Sequence, residues 1–298
     1  MTVSKAFEKF IRSRHLKGAA DSTIISYRNL TARFIKFIGQ DTEMESITQE
    51  HLENFIDYLY SIALARNSIA SYIRNTKIFL KWYQKKNKVK YSASEMIIPK
   101  APKKMAYIYN PAEIDLIFNT INTSSPWLTA RNKAMIALML DSGLRQGEIC
   151  NLKICNLFFD VCRVKVFGKG NKERIVPMGN MTQRLIKEYL ALRPFESENV
   201  FISYYGELLT CSAVKSMTWD LQQRLPFPFT SHLLRHNFAT NYLINQYDLY
   251  GQMDIYQLMT IMGHEDISTI RRYLHHANSI IASRNCISHL DSIYKDVV

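Results

Sequence analysis

Apolar residues recur every three or four positions along most of the chain, which is the period of an amphipathic helix. In the first hundred residues this rhythm predicts four helices: one around Phe7 and three within 21–39, 47–60 and 67–87. Asp21 or Ser22 is the expected N-cap of the second helix, and Gly39 is its expected end. Thr48 is the expected N-cap of the third. The first third of the chain is therefore predicted to be a four-helix domain.

A different pattern follows the fourth helix. In "IIPKAPKKM" two prolines exclude a helix or a central strand, so this stretch predicts an extended basic linker. Beyond it, Asn110 and Pro111 are the signature of a helix start, and "TARNKAMIALMLDSG" predicts an apolar helix that ends at Gly143. "RVKVFGKGNKERIVPM" alternates apolar and polar residues around a Gly-Lys-Gly-Asn turn, which predicts a β-hairpin.

The predicted fold is mainly α with a small β-sheet or hairpin, an α+β architecture. The predicted organisation is a helical domain over 1–98, a basic linker over 99–108 and a second, mostly helical domain over 109–298 with a C-terminal tail. The 298 residues suit two domains, and their 47% hydrophobic content is enough for two cores. No apolar run is long enough to span a membrane, and the start lacks the apolar segment of a signal peptide.

The distribution of charge and the pattern of cysteines limit the classes of function that this chain could have. Residues 1–106 hold 19 basic and 9 acidic side chains, whereas 107–298 hold 19 and 17. This excess is either a solvated lysine-rich face or a surface that binds a polyanion such as a DNA backbone. Five scattered cysteines without a C-x-x-C pair predict reduced thiols in a cytoplasmic protein, with no zinc site.

The stretch "TSHLLRHNFATNYL" carries polar residues on two opposite edges of a predicted helix. Three asparagines share the edge expected to face solvent: Asn237, Asn241 and Asn245. Two histidines and one arginine share the edge expected to face the protein: His232, Arg235 and His236. Because buried cations are costly without a counter-charge, this cluster predicts a missing anion.

Further candidate residues lie outside that helix. They are Arg145 and Glu148 after the Gly143 turn, Lys169 in the hairpin tip, His264 in "MGHEDIS" and Tyr273 in "STIRRYLHH", a short helix with Ser268 as its expected cap. Taken singly, each has an ordinary explanation, such as an i,i+3 ion pair or a solvated lysine. Taken together, they suit phosphoryl transfer. Arginines can donate paired hydrogen bonds to phosphate oxygens, a lysine can protonate a leaving alkoxide, and a tyrosine can attack phosphorus.

The boxes "SGLRQGEICNL", "FGKGNKERIVPM", "SHLLRHNFAT", "MGHEDIS" and "RRYLHH" resemble, in order and spacing, those of the tyrosine recombinase family, especially its compact Xer-like integrases. The basic first third resembles the SAM-like core-binding domain of that family, and the rest resembles its catalytic domain. The resemblance therefore covers nearly the whole chain. One departure is "INQYDLYGQMD" around 245–254, which is longer than expected and predicts an extra helical turn or a displayed loop.

The resemblance implies a role for each candidate. The catalytic set would be Arg145, Lys169, His232, Arg235, His264 and Tyr273, with Glu148 and His236 in support. Tyr273 would attack a DNA phosphate to form a 3′-phosphotyrosyl link, and Lys169 would protonate the 5′-hydroxyl that leaves. Lys172 competes with Lys169 for that role. No metal, ATP or other cofactor is expected.

The resemblance also implies the partners: a double-stranded DNA recombination site, a homo-tetramer on DNA that is a monomer off it, and accessory proteins. The expected DNA-binding residues are Arg74, Lys77, Lys81, Lys85, Lys86, Lys100, Lys103 and Lys104. By analogy the tail, residues 280–298, docks on a neighbouring subunit. Two alternatives stay open: a type IB topoisomerase-like relaxing enzyme, which shares the residue set, and a catalytically silent DNA-binding accessory protein.

Overall fold

The structure is a computed structural model that describes residues 1–100, 105–168, 172–264, 266–284 and 293. The chain divides into two compact units, residues 1–104 and 105–298. Both are mainly helical, and the second contains one small sheet, so the predicted α+β fold is confirmed. Within the described ranges, no helix combines the length and apolar character that a membrane span requires.

The N-terminal unit is a bundle of four helices around an aromatic core. The helices are α1 (Val3–His15), α2 (Asp21–Ile38), α3 (Gln49–Ser61) and α4 (Arg66–Gln84). The rings of Phe7, Phe10 and Phe79 meet where α1 packs on α4, with Phe7 and Phe79 edge to face at 5.3 Å between centroids. Such pairs add to the free energy gained by burying the rings. The predicted four helices are confirmed.

Two of the three predicted helix signals in this unit are correct. Thr48 caps α3 by accepting a hydrogen bond from the backbone N–H of His51, and α2 ends at Gly39, whose φ is +96°. The prediction that Asp21 or Ser22 caps α2 is wrong, because the helix begins at Asp21 itself and Ala20 precedes it without a side-chain cap. In the first turn the Asp21 carboxylate is still well placed to offset the positive end of the helix dipole.

The C-terminal unit contains eight helices and three strands in its described residues. The helices are α5 (Pro111–Thr120), α6 (Pro126–Ser142), α7 (Gln146–Cys150), α8 (Asn180–Leu192), α9 (Cys211–Arg224), α10 (Ser231–Tyr250), α11 (Ile255–Met262) and α12 (Arg271–Arg284). The strands β1 (Leu157–Phe158), β2 (Arg163–Phe167) and β3 (Glu173–Pro177) form an antiparallel sheet in that order. Val164 and Val176 are register partners and both are buried, as the alternation predicts.

Two hydrophobic clusters meet along α10. One side of this helix packs on α6, and the other packs on α12. The first cluster includes the buried α6 side chains, and the second is built from α10, α11 and α12 and includes Tyr273. Gly143 ends α6 with φ +62°, and a Cβ there would overlap the ring of Phe238 on α10. This close approach brings the start of α7 beside the middle of α10.

Three further local predictions concern helix ends in this unit. Asn110 caps α5 as predicted, and it forms a capping box with Glu113. Ser268 does not cap the tyrosine-bearing helix: α12 begins at Arg271, after a short 3-10 turn capped by Asp266. Around 245–254 the chain adds helix rather than a loop, since α10 continues to Tyr250 before Gly251 ends it at φ +71°.

Candidate active site

A cavity of about 280 Å³ lies where α7, α10, the end of α11 and the start of α12 converge. Its lining residues are Leu144, Arg145, Gln146, Ser231, His232, Arg235, His264, Arg272 and Tyr273. Five of the six predicted catalytic side chains are in this set, although they are up to 128 positions apart in the chain. The sixth, Lys169, lies outside the described residues, and its competitor Lys172 is exposed.

Glu148 is the buried counter-charge of the site. Only 4% of its side chain is exposed, and it accepts hydrogen bonds from the backbone N–H of Arg145 (2.8 Å) and from Arg145 Nη1 (3.0 Å). Burial alone would raise its pKa, but hydrogen bonds and charge from Arg174, with a smaller contribution from Arg145, lower the pKa below its ordinary value. Glu148 is therefore a carboxylate that orients Arg145.

Arg174, on β3, is a residue that the sequence reasoning missed. Its side chain is 9% exposed, and its Nη1 and Nη2 donate to the two oxygens of Glu148, each at 2.8 Å. The signal that could have revealed it is the period of a strand. Arg174 lies two positions before the buried Val176, so both side chains belong to the inward face of β3.

Arg235 is almost fully enclosed, with 4% of the residue exposed. Its Nη1 donates to the carbonyl of Gly143, and its Nη2 donates to the carbonyl of Met262 (2.7 Å) and to Nε2 of His264 (2.8 Å). Burial, followed by the charge of Arg145, lowers its pKa to about 10, so it is a cation at neutral pH. A cation held this way has lost water without gaining a full negative charge in exchange.

The last turn of α11 supports all three arginines. Its final carbonyls have no partner within the helix and carry the negative end of the helix dipole. Three consecutive carbonyls each accept from a different guanidinium: Ile261 from Arg174 Nε (2.7 Å), Met262 from Arg235 Nη2 (2.7 Å) and Gly263 from Arg145 Nη2 (3.1 Å). One short segment therefore fixes cations that come from three separate parts of the chain.

His264 directly follows that segment and faces Arg235. An arginine N–H only donates, so His264 Nε2 accepts, and its Nδ1 carries the proton that is shared with the hydroxyl of Thr269. Thr269 in turn donates to the carbonyl of Asp266 (2.6 Å), which is consistent with that tautomer. Burial and then Arg235 lower the pKa of His264 to about 4, so the ring is neutral at pH 7.

His232 and His236 lie one turn apart on α10, with their Nε2 atoms 3.0 Å apart. The expectation that both face the protein is half correct: His236 is buried, whereas His232 is exposed and lines the cavity. Partial loss of water around its ring still lowers the pKa of His232, and Arg272 and Arg235 add to this effect. Burial and the nearby His232 lower the pKa of His236 to about 4.

The asparagine edge of α10 also differs from expectation at one position. The pattern predicts that Asn237 faces solvent, but the residue is 1% exposed. Its Oδ1 accepts from the backbone N–H of Tyr109 (2.7 Å), and its Nδ2 donates to the carbonyl of Tyr107 (2.9 Å). The extended segment before α5 supplies unpaired backbone groups, and a buried amide satisfies them better than water could. Asn245, two turns further on, is exposed as predicted.

Tyr273 is 2% exposed and packs its ring against His236, with the ring centroids 4.8 Å apart. The Arg272 guanidinium lies 5.7 Å from the centre of the same ring, and Arg272 is a second lining residue that the sequence reasoning missed. Tyr242 on α10 and Tyr256 on α11 are nearby alternatives to Tyr273 as the nucleophile, but neither lines the cavity. Tyr242 donates to Gln257, and Tyr256 is 73% exposed.

The predicted DNA-binding residues all belong to the N-terminal unit, residues 1–104. Arg74, Lys81, Lys85, Lys86 and Lys100 are exposed, whereas Lys103 and Lys104 lie outside the described residues. Lys77 is half-buried, and its ammonium donates to the carbonyls of Ser94 (2.8 Å) and Met96 (2.7 Å). Burial lowers the pKa of Lys77, with Lys81 adding to the effect. Lys77 therefore stabilises the N-terminal unit and is not placed to contact a DNA phosphate.

Comparison with known proteins places the chain in a family. The model described as the phage integrase family matches residues 109–279, and the model of the phage integrase N-terminal SAM-like domain matches residues 6–87. The chain belongs to the phage integrase family. This confirms the predicted resemblance to the tyrosine recombinases, and with it the enzyme class, a tyrosine-type site-specific recombinase.

Individual family members match along nearly their whole length. The chain is 28% identical to tyrosine recombinase XerD of Halalkalibacterium halodurans over 92% of this chain and 94% of that protein. It is 27% identical to tyrosine recombinase XerC of Staphylococcus epidermidis over 88% of this chain and 89% of that protein. The matched stretches therefore span most of this chain and most of each relative.

Solved structures share the fold. XerH recombinase bound to palindromic difH substrate matches with a TM-score of 0.70 and 21% identity, over 94% of this chain and 83% of that one. A lambda integrase dimer bound to a COC′ core site matches with a TM-score of 0.73 and 14% identity, over 92% and 95%. At these identities the likeness concerns the architecture alone.

Proposed function

We propose that this recombinase cuts and rejoins double-stranded DNA at a specific site through a 3′-phosphotyrosyl intermediate, without metal or ATP. The observation that carries the proposal is the charge of the cavity. Its lining contains three arginines and, among the described residues, no acidic side chain. A phosphodiester is the anion that such a lining fits, because guanidinium groups donate paired hydrogen bonds to phosphate oxygens.

The arginines keep donors for this ligand. A guanidinium has five N–H groups. Among the described residues, hydrogen bonds account for two of them on Arg145 and three on Arg235. The rest can meet the non-bridging oxygens and the extra negative charge that develops on them in the transition state, where preorganised donors matter most.

The remaining roles are those that the resemblance to the tyrosine recombinases implies. The Tyr273 oxygen attacks phosphorus, its proton passes to His232, and the 5′-oxygen leaves with a proton from Lys169. A hydrogen bond from His264 to the phosphate requires a proton on Nε2, so the ring would have to exchange its contact with Arg235 for one with the phosphate. Glu148 and His236 support their neighbours. The new phosphotyrosyl ester replaces the phosphodiester bond that broke. A 5′-hydroxyl from another strand can therefore reverse the step without an external energy source.

The proposed partners are a DNA recombination site, three further copies of the chain and accessory proteins. DNA is bound in the XerH and lambda integrase structures, and the exposed basic residues of α4 suit its backbone. Sedimentation of the protein alone and with its site would test assembly. A monomer without DNA and a tetramer on paired sites are expected, whereas a stable tetramer without DNA would contradict the proposal.

The test is covalent capture from a nicked duplex library with a randomised core. A nick just beyond the scissile phosphate lets the short 5′-hydroxyl product diffuse away, so the protein–DNA link accumulates. With EDTA and without ATP, the wild type should retain DNA after denaturation, and sequencing would reveal its site. Tyr273→Phe should bind the same duplex but lower adduct formation more than about 1,000-fold, as expected for a lost nucleophile.

Tyr256→Phe is the matched control, since that side chain is exposed on α11 and lies outside the cavity lining. It should form adducts as the wild type does. Adducts that persist in Tyr273→Phe would assign the nucleophile elsewhere, and a wild type that captures no DNA would favour an accessory protein. Relaxation of supercoiled DNA without strand exchange would identify a topoisomerase instead.

A further inference from the structure

Arg174 lies beneath the cavity rather than in its lining, yet it contacts two of the segments that shape the cavity. We propose that Arg174 is a positioning residue: it orients Arg145 through Glu148 and holds the end of α11 against the β-hairpin, without touching DNA. This inference rests on the proposed function, because the group that Arg174 helps to position is the one assigned to the phosphate.

The first support is the saturation of the Glu148 carboxylate. Four hydrogen bonds reach its two oxygens, two from Arg174 and two from Arg145. The parallel pair from Arg174 fixes the plane of the carboxylate. That plane sets the direction in which Arg145 Nη1 must donate, so the orientation of Arg145 depends on a cation it does not touch.

The second support is the third donor of the same guanidinium. Arg174 Nε donates to the carbonyl of Ile261 at 2.7 Å, and the next two carbonyls hold Arg235 and Arg145. A shift of Ile261 would therefore move both acceptors. Lysine keeps the charge but cannot reproduce three donors in one rigid plane, so the geometry requires arginine.

The third support is the packing around the guanidinium. A Cβ at Gly263 would lie 3.2 Å from Arg174 Nη1, and at Gly168 it would lie 3.6 Å from the same atom. Gly263 also has φ +62°, a conformation that favours glycine. Arg174 is thus enclosed by the α11 end on one side and by the first residue of the hairpin turn on the other.

The experiment compares Arg174→Lys with the wild type in single-turnover adduct formation, on a captured nicked duplex at saturating protein. If Arg174 positions Arg145, the adduct should form about 100-fold more slowly, the scale expected for a misplaced catalytic group. DNA affinity should be unchanged, because the exposed basic residues are intact. Arg174→Gln, which keeps a planar donor but no charge, is the second variant.

Arg131→Lys is the matched control. Arg131 is also partly enclosed, on α6, and it donates to the carbonyl of Ile202 (2.8 Å) and to Asn132 Oδ1, away from the cavity. The Arg131→Lys variant should have a lower midpoint of thermal unfolding, as Arg174→Lys does, but should form the adduct at the wild-type rate. A wild-type rate in Arg174→Lys would overturn the inference, and so would failure of both Arg174 variants to fold at any temperature, since Arg174 would then be structural only.

A double variant tests the path through Glu148. If Arg174 acts through that carboxylate, Arg174→Lys combined with Glu148→Gln should slow the adduct no more than the more damaging single change. A double variant whose adduct rate falls by the product of the two single losses would contradict that path. A wild type that forms no adduct with any duplex refutes the proposed function itself, whereas a normal adduct rate in Arg174→Lys refutes only the positioning role.

Discussion

The N-terminal unit carries exposed lysines at the end of α4 and just beyond it, Lys81, Lys85 and Lys86, whereas the C-terminal unit places arginines against backbone carbonyls and one buried carboxylate. Exposed lysines keep their water and rotate freely, so they attract a polyanion without fixing it in one register. The enclosed arginines have given up water and rotational freedom before any ligand arrives. Under the proposed function, this difference would assign attraction of DNA and orientation of a single phosphate to separate parts of the protein.

The largest expected effect comes from breaking the enclosed arrangement. Arg235→Lys should slow adduct formation by about 100- to 1,000-fold, the usual cost of losing a preorganised donor. A single ammonium cannot span the carbonyls of Gly143 and Met262 and still face a phosphate. Single-turnover capture would measure the rate, and filter binding would show affinity close to the wild type.

Arg193→Lys is the control for this change, because Arg193 also holds two carbonyls, of Asn199 and Ser197, but lies outside the cavity lining. Its adduct rate should equal that of the wild type. If Arg235→Lys instead lost affinity with an unchanged rate at saturation, the enclosed arginine would behave like a surface lysine, and the contrast between the units would fail.

A smaller effect is expected on the exposed face. Replacing Lys81, Lys85 and Lys86 by glutamine should reduce the slope of log affinity against log salt by about 0.9 for each DNA phosphate that the protein no longer neutralises. The adduct rate at saturating protein should not change. Titrations at several salt concentrations would measure the slope, and an unaltered slope would remove these three lysines from the DNA-binding surface.

Lys77→Gln sharpens the same comparison within one helix. Because its ammonium bonds two carbonyls, its loss should lower the free energy of unfolding by about 1 kcal/mol and leave the salt slope unaltered. Urea unfolding and the same salt titrations would measure the two quantities. A reduced salt slope in this variant would show that Lys77 binds DNA after all.

The last prediction concerns the dependence of stability on acid. The pKa of His236 is about 4 in the folded state against an ordinary 6.5, so its neutral ring contributes stability that is fully present above pH 6.5 and is lost as the pH falls towards 4. His236→Gln should therefore flatten the dependence of the free energy of unfolding on pH in that window, by at most about 1.4 kcal/mol per pH unit.

Urea unfolding at several pH values would measure this slope. The exposed His275→Gln is the control, and it should unfold with the wild-type pH dependence. An equal flattening in both variants would show that burial of His236 is not the cause.

Much of the fold could be predicted because its signals are local. Thr48, Asn110 and Gly143 end or begin helices through their own side-chain and backbone preferences, and Val164 and Val176 reveal the sheet by alternation. The predicted cap of α2 is wrong, because an acidic residue inside the first turn looks the same in sequence as one that precedes it.

The candidate site was less accessible to sequence reasoning, because its geometry depends on contacts between distant segments. Arg174 is held by α7 and by the end of α11, which are both far from it in the chain. Arg272 is placed by its contact with the Tyr273 ring. Asn237 looks like a solvent residue in sequence because its partners, Tyr107 and Tyr109, precede it by about 130 positions. The roles of the lining residues stay predictions until the adduct is mapped.

The shared support at the end of α11 has a consequence for anyone who redesigns this recombinase to read a new target. Substitutions at exposed positions that are far apart have effects that add, so they can be combined. Residues 261–263 offer no such freedom, because one displaced peptide unit would disturb three guanidinium groups at once. Libraries for altered specificity should leave that turn, and the buried Leu258 that anchors it, untouched.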